Sequence, residues 1–306
     1  MRLRTFLWGT FWVLIALAIV FHIAGGWYFS DELIADGFVV EHEPIVPVTG
    51  DFTLEETTYQ TPLGAMDAWH LPGAGTTWVI HVHGKGATPA EAEPLFAPLQ
   101  QAGYDQFAIT YRNDEGQPQD PSGYYQYGVT EWEDVSAAVD HARANGAEAI
   151  VLSGFSTGAA HSMAYLSRAP VDAVIGSLFD APNVDFGETV DYAASQRDLP
   201  VIPAQVPSTV AATAKFFTSL RIGVNWKAID YISDADRSIR RPILIHHGTD
   251  DLTVPIAESE ALEEAVPELV ELIEVEGAGH VESYDVDRQQ YVDDVIGFLQ
   301  GLDQGG

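Results

Sequence analysis

The stretch "VLSGFSTGAAHS", residues 151–162, sets a serine between two glycines directly after a run of small apolar residues. Its centre, "GFSTG", fits G-x-S-x-G and falls where a strand-like segment gives way to a helix-like one. In such a strand–turn–helix the bend is so tight that only small neighbours fit. Gly154 and Gly158 would let helix and strand approach, leaving Ser156 at the tip as a nucleophile. The competing reading is a serine that merely caps the following helix. Five residues do not decide between the two. A serine nucleophile needs a base, an orienting acid and an oxyanion site, all from elsewhere in the chain.

On both sides of this stretch, strand-like and helix-like segments alternate from about residue 55 onward. "TTYQT", "AMDAWHL", "TWVIHVHG", "DQFAITY", "AEAIVLSG", "DAVIGSLFD", "PILIHHG" and "VELIEVEG" read as strands. "TPAEAEPLFAPLQQAG" reads as a helix, with Thr88 and Glu91 fitting a capping box and Pro89 at the first helical position. "TEWEDVSAAVDHARANG" is an amphipathic helix, and residues 285–300 make a closing one. This alternation predicts the α/β class, a mostly parallel sheet covered by helices on both faces. Residues 183–240 interrupt it with a long, largely helical insertion.

The missing partners have candidates. In "HHGTDDLTVP", Asp250 and Asp251 follow a strand, where α/β sheets place their sites, and either could orient a histidine. Alternatively both cap the helix that starts near Pro255. In "GAGHVESYD", His280 sits in a glycine-rich loop between the last strand and the closing helix, suited to act as base. For the oxyanion, "HVHGKG" offers the backbone N–H of Lys85 or Gly86, and Thr157 after the serine offers the second donor. A metal reading rests on His81 and His83 on one strand face and His246, His247, Asp250 and Asp251 further on. Strand ends and the serine machinery explain the same residues, so no metal is expected.

Taken together, "HVHGKGATPAEAEPL", "YRNDEGQP", "YGVTEWEDVSAAVDHARANGA", "SGFSTGAAHS", "HHGTDDLTVP" and "GAGHVESYD" resemble the α/β-hydrolase superfamily. The nearest branch is the bacterial serine aminopeptidase-like and monoacylglycerol lipase-like hydrolases, over roughly residues 55–300. The order Ser156, Asp251, His280 matches the family's triad order. The resemblance implies Ser156 as nucleophile, Asp251 rather than Asp250 as the acid, and His280 as base. It further implies Lys85 and Thr157 as the oxyanion donors, and no cofactor. Ala159 departs from the second glycine that many relatives carry after the elbow, and alanine is small enough to keep the turn. Residues 183–240 correspond to the family's variable cap, in which Phe216, Phe217, Leu220 and Trp226 are candidates for an apolar acyl pocket. The other reading makes them the cap's own small core.

Composition narrows the partners. Among 306 residues, 45 Asp and Glu face 14 Lys and Arg, a formal charge of −31 that repels nucleic acid. Only Lys85, Lys215 and Lys227 are lysines, and such a carboxylate-rich surface suits high salt. With no cysteine, disulfides and thiolate metal sites are excluded. Residues 5–29, "TFLWGTFWVLIALAIVFHIAGGWYF", are uncharged and long enough to cross a bilayer, which needs roughly 20 residues. Arg2 and Arg4 before them and Asp31 and Glu32 after them place the following domain outside the cytoplasmic membrane. A retained signal anchor over residues 1–29 is the reading adopted; a cleaved signal peptide, with only a weak site at Ala24–Gly26, is the competitor. A buried helix of a soluble domain would leave Arg2 and Arg4 unexplained. Residues 30–54 make an acidic connector, and residues 301–306 a flexible tail.

The expected function is a membrane-anchored serine hydrolase acting through an acyl-enzyme on small-molecule esters, lipid-derived ones included. The nearest alternative is a serine peptidase of the same fold, which needs a site for a peptide terminus; the insertion shows no obvious acidic cluster for an amine, with Asp185, Glu188 and Asp191 the carboxylates that could contribute. A non-catalytic binding protein is the rival from another class, and a missing triad member would have argued for it; none is missing. A dehalogenase or haloperoxidase relative is disfavoured, the former because it usually replaces the serine with aspartate.

Overall fold

A computed structural model describes residues 2–39, 43–199 and 204–305. Its α-helices in chain order are α1 (Arg2–Glu32), α2 (Glu93–Gln101), α3 (Trp132–Ala144), α4 (Thr157–Arg168), α5 (Phe186–Ser195), α6 (Ser208–Ile222), α7 (Ala235–Ser238), α8 (Ala257–Ala265), α9 (Ser283–Val286) and α10 (Arg288–Gly305). Two compact units result: Met1–Val39 with Val190–Asn225, and Val40–Thr189 with Trp226–Gly306.

The larger unit carries all eight expected strands in one sheet. They are β1 (Glu55–Thr61), β2 (Gly64–Leu71), β3 (Thr77–Val82), β4 (Asp105–Ile109), β5 (Ala149–Phe155), β6 (Val174–Asp180), β7 (Ile243–Gly248) and β8 (Val270–Val275), ordered β1-β2-β4-β3-β5-β6-β7-β8. β2 pairs antiparallel with both β1 and β4, and every later pairing is parallel. β4 and β7 are buried at every position, as strands covered on both faces must be, and their polar members are satisfied by side-chain bonds: Asp105 meets His70, Gln106 the Phe96 carbonyl, His246 Asp294 and His247 Ser259. The outer strand β8 instead turns Glu271 and Glu274 to water, which discourages further pairing at that edge. Beneath the sheet, Phe96 and Leu99 of α2 and Val295 and Leu299 of α10 close on Val79 and Val151. Each such side chain contributes about 1.5–3 kcal/mol by leaving water.

Two local readings are corrected here. The chain end is no loose tail: α10 runs on to Gly305, because Leu302 packs against Gly176 and Asp303 accepts hydrogen bonds from Thr77 and Tyr104. The capping box at Thr88 is only half formed. Thr88 Oγ1 accepts from the Ala90 N–H, but the Glu91 carboxylate turns away to the Gly84 N–H at 2.7 Å.

In the smaller unit, Gly25 and Gly26 of α1 lie against Val210 and Thr213 of α6, where a larger side chain would collide. Trp12 and Leu14 are 60% and 61% exposed, so α1 is not a core helix of a soluble domain. The helical run Leu7–Phe38 is long and apolar enough to cross a membrane, consistent with an anchor or a signal sequence. The compact units therefore divide the chain differently from the expected segments 1–29 and 183–240. Part of the expected connector, residues 40–42, and residues 200–203 of the insertion lie outside the described residues.

Candidate active site

β5 delivers Ser156 at its end and α4 begins immediately after it. Ser156 has φ 50° and ψ −117°, a conformation that costs an L-residue on the order of 1–3 kcal/mol. Its surroundings hold it there. The Ser156 N–H donates to Asp180 O at 2.9 Å, and its carbonyl accepts from the N–H groups of Ala159 and Asn183, both at 3.1 Å. The two glycines serve the approach expected of them: a Cβ on Gly154 would lie 2.6 Å from the Ala159 nitrogen, and one on Gly158 would lie 1.9 Å from the Val82 oxygen. The Ser156 side chain makes no capping bond to α4. It faces His280 instead, with Oγ 2.9 Å from Nε2.

His280 stands in the loop between β8 and α9, half-buried, with Nδ1 2.7 Å from Asp251 Oδ2. A carboxylate only accepts, so Nδ1 carries the proton and Nε2 is left to accept from the serine hydroxyl. Asp251, after β7, divides its oxygens. Oδ1 accepts from the N–H groups of Thr253 and Val254 at 2.7 and 2.9 Å, while Oδ2 meets His280 and, at 3.4 Å, His247. The turn-capping role and the histidine-orienting role thus reside in one carboxylate, and Asp250 is exposed. Burial opposes ionisation of Asp251, but hydrogen bonds from His247 and His280 outweigh it and hold the carboxyl well below the usual range. Ala181 and Val281, beside Asp180 and His280, also have positive φ, of 46° and 55°. For the β-branched Val281 this is a genuine strain, concentrated beside the candidate base.

The loop after β3 lies against the serine, since a Cβ on Gly84 would sit 3.1 Å from Ser156 Cβ. Gly84 is gripped from both sides. Its N–H donates to Glu91, and its carbonyl accepts from Tyr111 Oη at 3.0 Å and His83 Nδ1 at 2.8 Å. His83 is buried and stacked on Tyr111, with Nε2 2.9 Å from Asp114 Oδ2. Both ring nitrogens face acceptors. Burial lowers the His83 pKa, yet the Asp114 carboxylate outweighs it and the net shift is upward. Burial likewise pushes Glu91 up, against the pull of the Gly84 N–H, His83 and His280. Lys85, half-buried, comes next in this loop. Thr157 opens α4, so its N–H has no partner within the helix, and its Oγ1 is held by Tyr125 Oη at 3.0 Å.

Sequence reasoning missed five contributors: His83, Glu91, Asp114, Asp180 and His247. Glu91 was legible only as a capping residue, and His83 and His247 only as metal candidates. Asp180, at the end of β6, is pushed up to about 6 by burial and accepts from Ser283 Oγ at 2.8 Å, tying the segment after His280 to the sheet. The metal candidates are dispersed: His81 meets Gln106, His246 meets Asp294, and His247 meets Ser259. Among the described residues no three His, Cys, Asp or Glu gather to hold an ion. Of the four candidate pocket residues, Phe216, Phe217 and Leu220 belong to the smaller unit, where the Phe216 and Phe217 rings meet. Phe216 and Leu220 point outward from α6, Phe217 packs on Trp27, and Trp226 belongs to the larger unit, stacked on Phe186.

Residues 70–294 match the model of the alpha/beta hydrolase family. The chain is 25% identical over 284 residues to YfhR of Salmonella typhi, described as an uncharacterised protein, covering 89% of this chain and 86% of that one. Among solved structures it resembles the Pyrococcus furiosus esterase PF2001, with a TM-score of 0.66, 22% identity and coverage of 86% of this chain and 98% of that one. It also resembles the Pyrococcus horikoshii acylaminoacyl peptidase, with a TM-score of 0.62, 13% identity and coverage of 82% of this chain and 42% of that one. At these identities the structural likenesses speak for the fold.

Proposed function

The chain belongs to the alpha/beta hydrolase family, and on that premise we propose that it is a serine esterase whose nucleophile is Ser156. One observation carries the reading: the unbroken relay Ser156 Oγ–His280 Nε2 at 2.9 Å and His280 Nδ1–Asp251 Oδ2 at 2.7 Å, ending on a strained elbow. His280 Nε2 takes the hydroxyl proton as Ser156 Oγ adds to the ester carbonyl, and Asp251 stabilises the resulting imidazolium. The N–H groups of Lys85 and Thr157 receive the developing oxyanion. The imidazolium then protonates the departing alcohol oxygen, leaving an acyl-serine. A water that gives its proton to His280 attacks that ester and releases the acid, restoring Ser156.

Two of the three carboxylates that could contribute to a site for a peptide amine are engaged elsewhere. Asp185 Oδ1 accepts from the Gly187 and Glu188 N–H groups, and Asp191 pairs with Lys215 at 2.5 Å. This favours esters over an aminopeptidase role. In the same proposal α1 is a retained membrane anchor, with Arg2 and Arg4 on the cytoplasmic side and the esterase outside.

The test is covalent labelling of the full chain, in detergent micelles, by a fluorophosphonate probe. Wild type labels and Ser156→Ala does not; an ester and amide panel then ranks substrates. A folded wild type that resists the probe and hydrolyses no ester on the panel overturns the proposal.

A further inference from the structure

Helix α6 carries the second apolar surface of the smaller unit. Its buried residues Val210, Ala211, Ala214 and Thr218 face inward, while Ala212, Phe216 and Leu220, spaced four apart, form an outward stripe. Phe216 is 58% exposed and Leu220 66%. In a chain with 45 Asp and Glu, the 15 residues of α6 include no carboxylate; their only charges are Lys215 and Arg221. Ordinary surface helices of this protein are not built that way: the nine residues of α8 hold four glutamates.

The pairing of α6 with α1 fixes its level along the apolar segment. His22 Nε2 meets Thr209 Oγ1 at 2.9 Å, Gly26 lies against Thr213, Trp27 packs on Phe217, and Ser30 bonds Thr218 at 3.2 Å. Arg221 closes the series, 2.6 Å from Asp31 and stacked over Trp27. Both residue numbers rise together, so the helices run parallel, and α6 begins beside His22. At about 1.5 Å per residue this is roughly 10 Å inside the end of the apolar run at Phe29. Phe216 then stands at the level of Trp27 and Tyr28, and Leu220 at that of Asp31 and Glu32. Aromatic belts and paired basic residues mark such a level, the boundary between acyl chains and headgroups.

We infer that α6 is a second membrane-contacting helix, sunk beside α1 into the outer leaflet, with Phe216 and Leu220 facing lipid. The inference rests on the anchor reading of α1, and it names a lipid bilayer, not a second copy of the chain, as what covers this stripe. It makes the insertion between β6 and β7 an interfacial element in its own right rather than a water-facing cover.

The absence of cysteine makes the test direct, because any introduced thiol is unique. Full-length Phe216→Cys, Leu220→Cys, Leu14→Cys and Gln289→Cys variants are labelled with an environment-sensitive fluorophore. They are reconstituted in phosphatidylcholine–phosphatidylglycerol vesicles, with circular dichroism checking the fold. Leu14 reports the anchor, and exposed Gln289 reports water. The expected result is several-fold protection of positions 216 and 220 from iodide relative to 289, with strong quenching by headgroup-level spin-labelled lipid. Iodide access at 216 and 220 equal to that at 289, with 14 protected, overturns the inference and spares the anchor. Iodide access at 14 as well overturns both. Protection at 216 that comes with self-quenching between labelled copies, and without quenching by spin-labelled lipid, overturns it in favour of a dimer.

Discussion

Gly158 lies so close to Val82 that a Cβ built on it would stand 1.9 Å from the Val82 carbonyl oxygen. That contact is how the sequence G-x-S-x-G becomes geometry: α4 crosses the end of β3 at backbone distance, and Ser156 is forced out of regular φ and ψ. The obstacle is a main-chain oxygen, which no rotamer change can relieve. Gly158→Ala is therefore expected to cost on the order of 3 kcal/mol, as overpacking does, and to lower Tm by roughly 5–10 °C. Gly297→Ala in α10 has nothing within 4 Å and should be neutral or stabilising, since alanine favours helix over glycine by about 0.5–1 kcal/mol. Calorimetry of both variants checks the contrast; equal melting temperatures would remove the close-approach argument.

Asp251→Asn keeps an oxygen for the Thr253 and Val254 N–H groups but removes the charge opposite His280. The amide can present its NH2 to Nδ1, driving the imidazole into the tautomer that cannot accept from Ser156. Ester hydrolysis is expected to fall by about three to four orders of magnitude with little change in melting temperature. Steady-state kinetics on a chromogenic ester decides it, and a loss below tenfold would sink the assigned role.

Glu91 is the half-buried carboxylate that holds the Gly84 N–H, one residue before the candidate oxyanion donor Lys85. Glu91→Gln retains an acceptor, whereas Glu91→Ala releases the loop. A placed oxyanion donor contributes to kcat rather than to KM. Glu91→Ala should therefore lower kcat at least tenfold with KM nearly constant, and Glu91→Gln should recover most of the loss. If both variants change KM alone, Glu91 does not position the oxyanion loop.

All eight strands were legible as short β-prone segments bounded by turn residues, with β3, β5 and β6 mostly apolar. The place of β4 between β2 and β3 was not, since strand order depends on which edges meet in space. Ser156 and His280 were readable as candidates from their glycine-rich turns, whereas the turn after β7 left Asp250 and Asp251 open and only the family resemblance chose between them. Glu91 was misread for a physical reason. A residue three places after Thr88 fits a cap locally, and only the arrival of Gly84 gives its carboxylate a better donor. Phe216 and Leu220 show the opposite failure: apolarity alone does not distinguish a pocket from an outer face, and the pairing of α6 with α1 supplied that distinction.

Burial pushes the carboxyls of Asp180, Glu131 and Glu258 up to about 6, 7 and 8. A group whose folded pKa lies above its unfolded value stabilises the fold below the unfolded pKa and loses that contribution as pH rises through the folded one. His81, His141, His161 and His246 are held below the ordinary histidine value and act in the opposite sense up to about pH 6.5, so melting temperature should decline above that, between about pH 6.5 and pH 8. Glu258→Gln should flatten the upper part of that decline, since the glutamine Oε1 still accepts from the Val184 and Asp185 N–H groups while its Nε2 donates to Thr189 Oγ1, and no proton titrates. A melting temperature that climbs from pH 6.5 to pH 8 in wild type would contradict this assignment.

The formal charge of −31 sets the response to salt, because carboxylates crowd a surface that has few cations to pair with them. Their mutual repulsion reaches about 30 Å at 0.01 M ionic strength and only about 3 Å at 1 M. The unfolded chain relieves the same repulsion by expanding, so screening favours the folded state. Melting temperature in sodium chloride should rise steeply below about 0.2 M and level off as the screening length falls under the spacing of neighbouring carboxylates. Choline chloride at equal ionic strength should reproduce the low-salt rise if screening is the cause. A rise with sodium and none with choline would assign the effect to cation binding by carboxylates instead, and a flat curve in both salts would mean that the charges are spaced too widely to destabilise the fold.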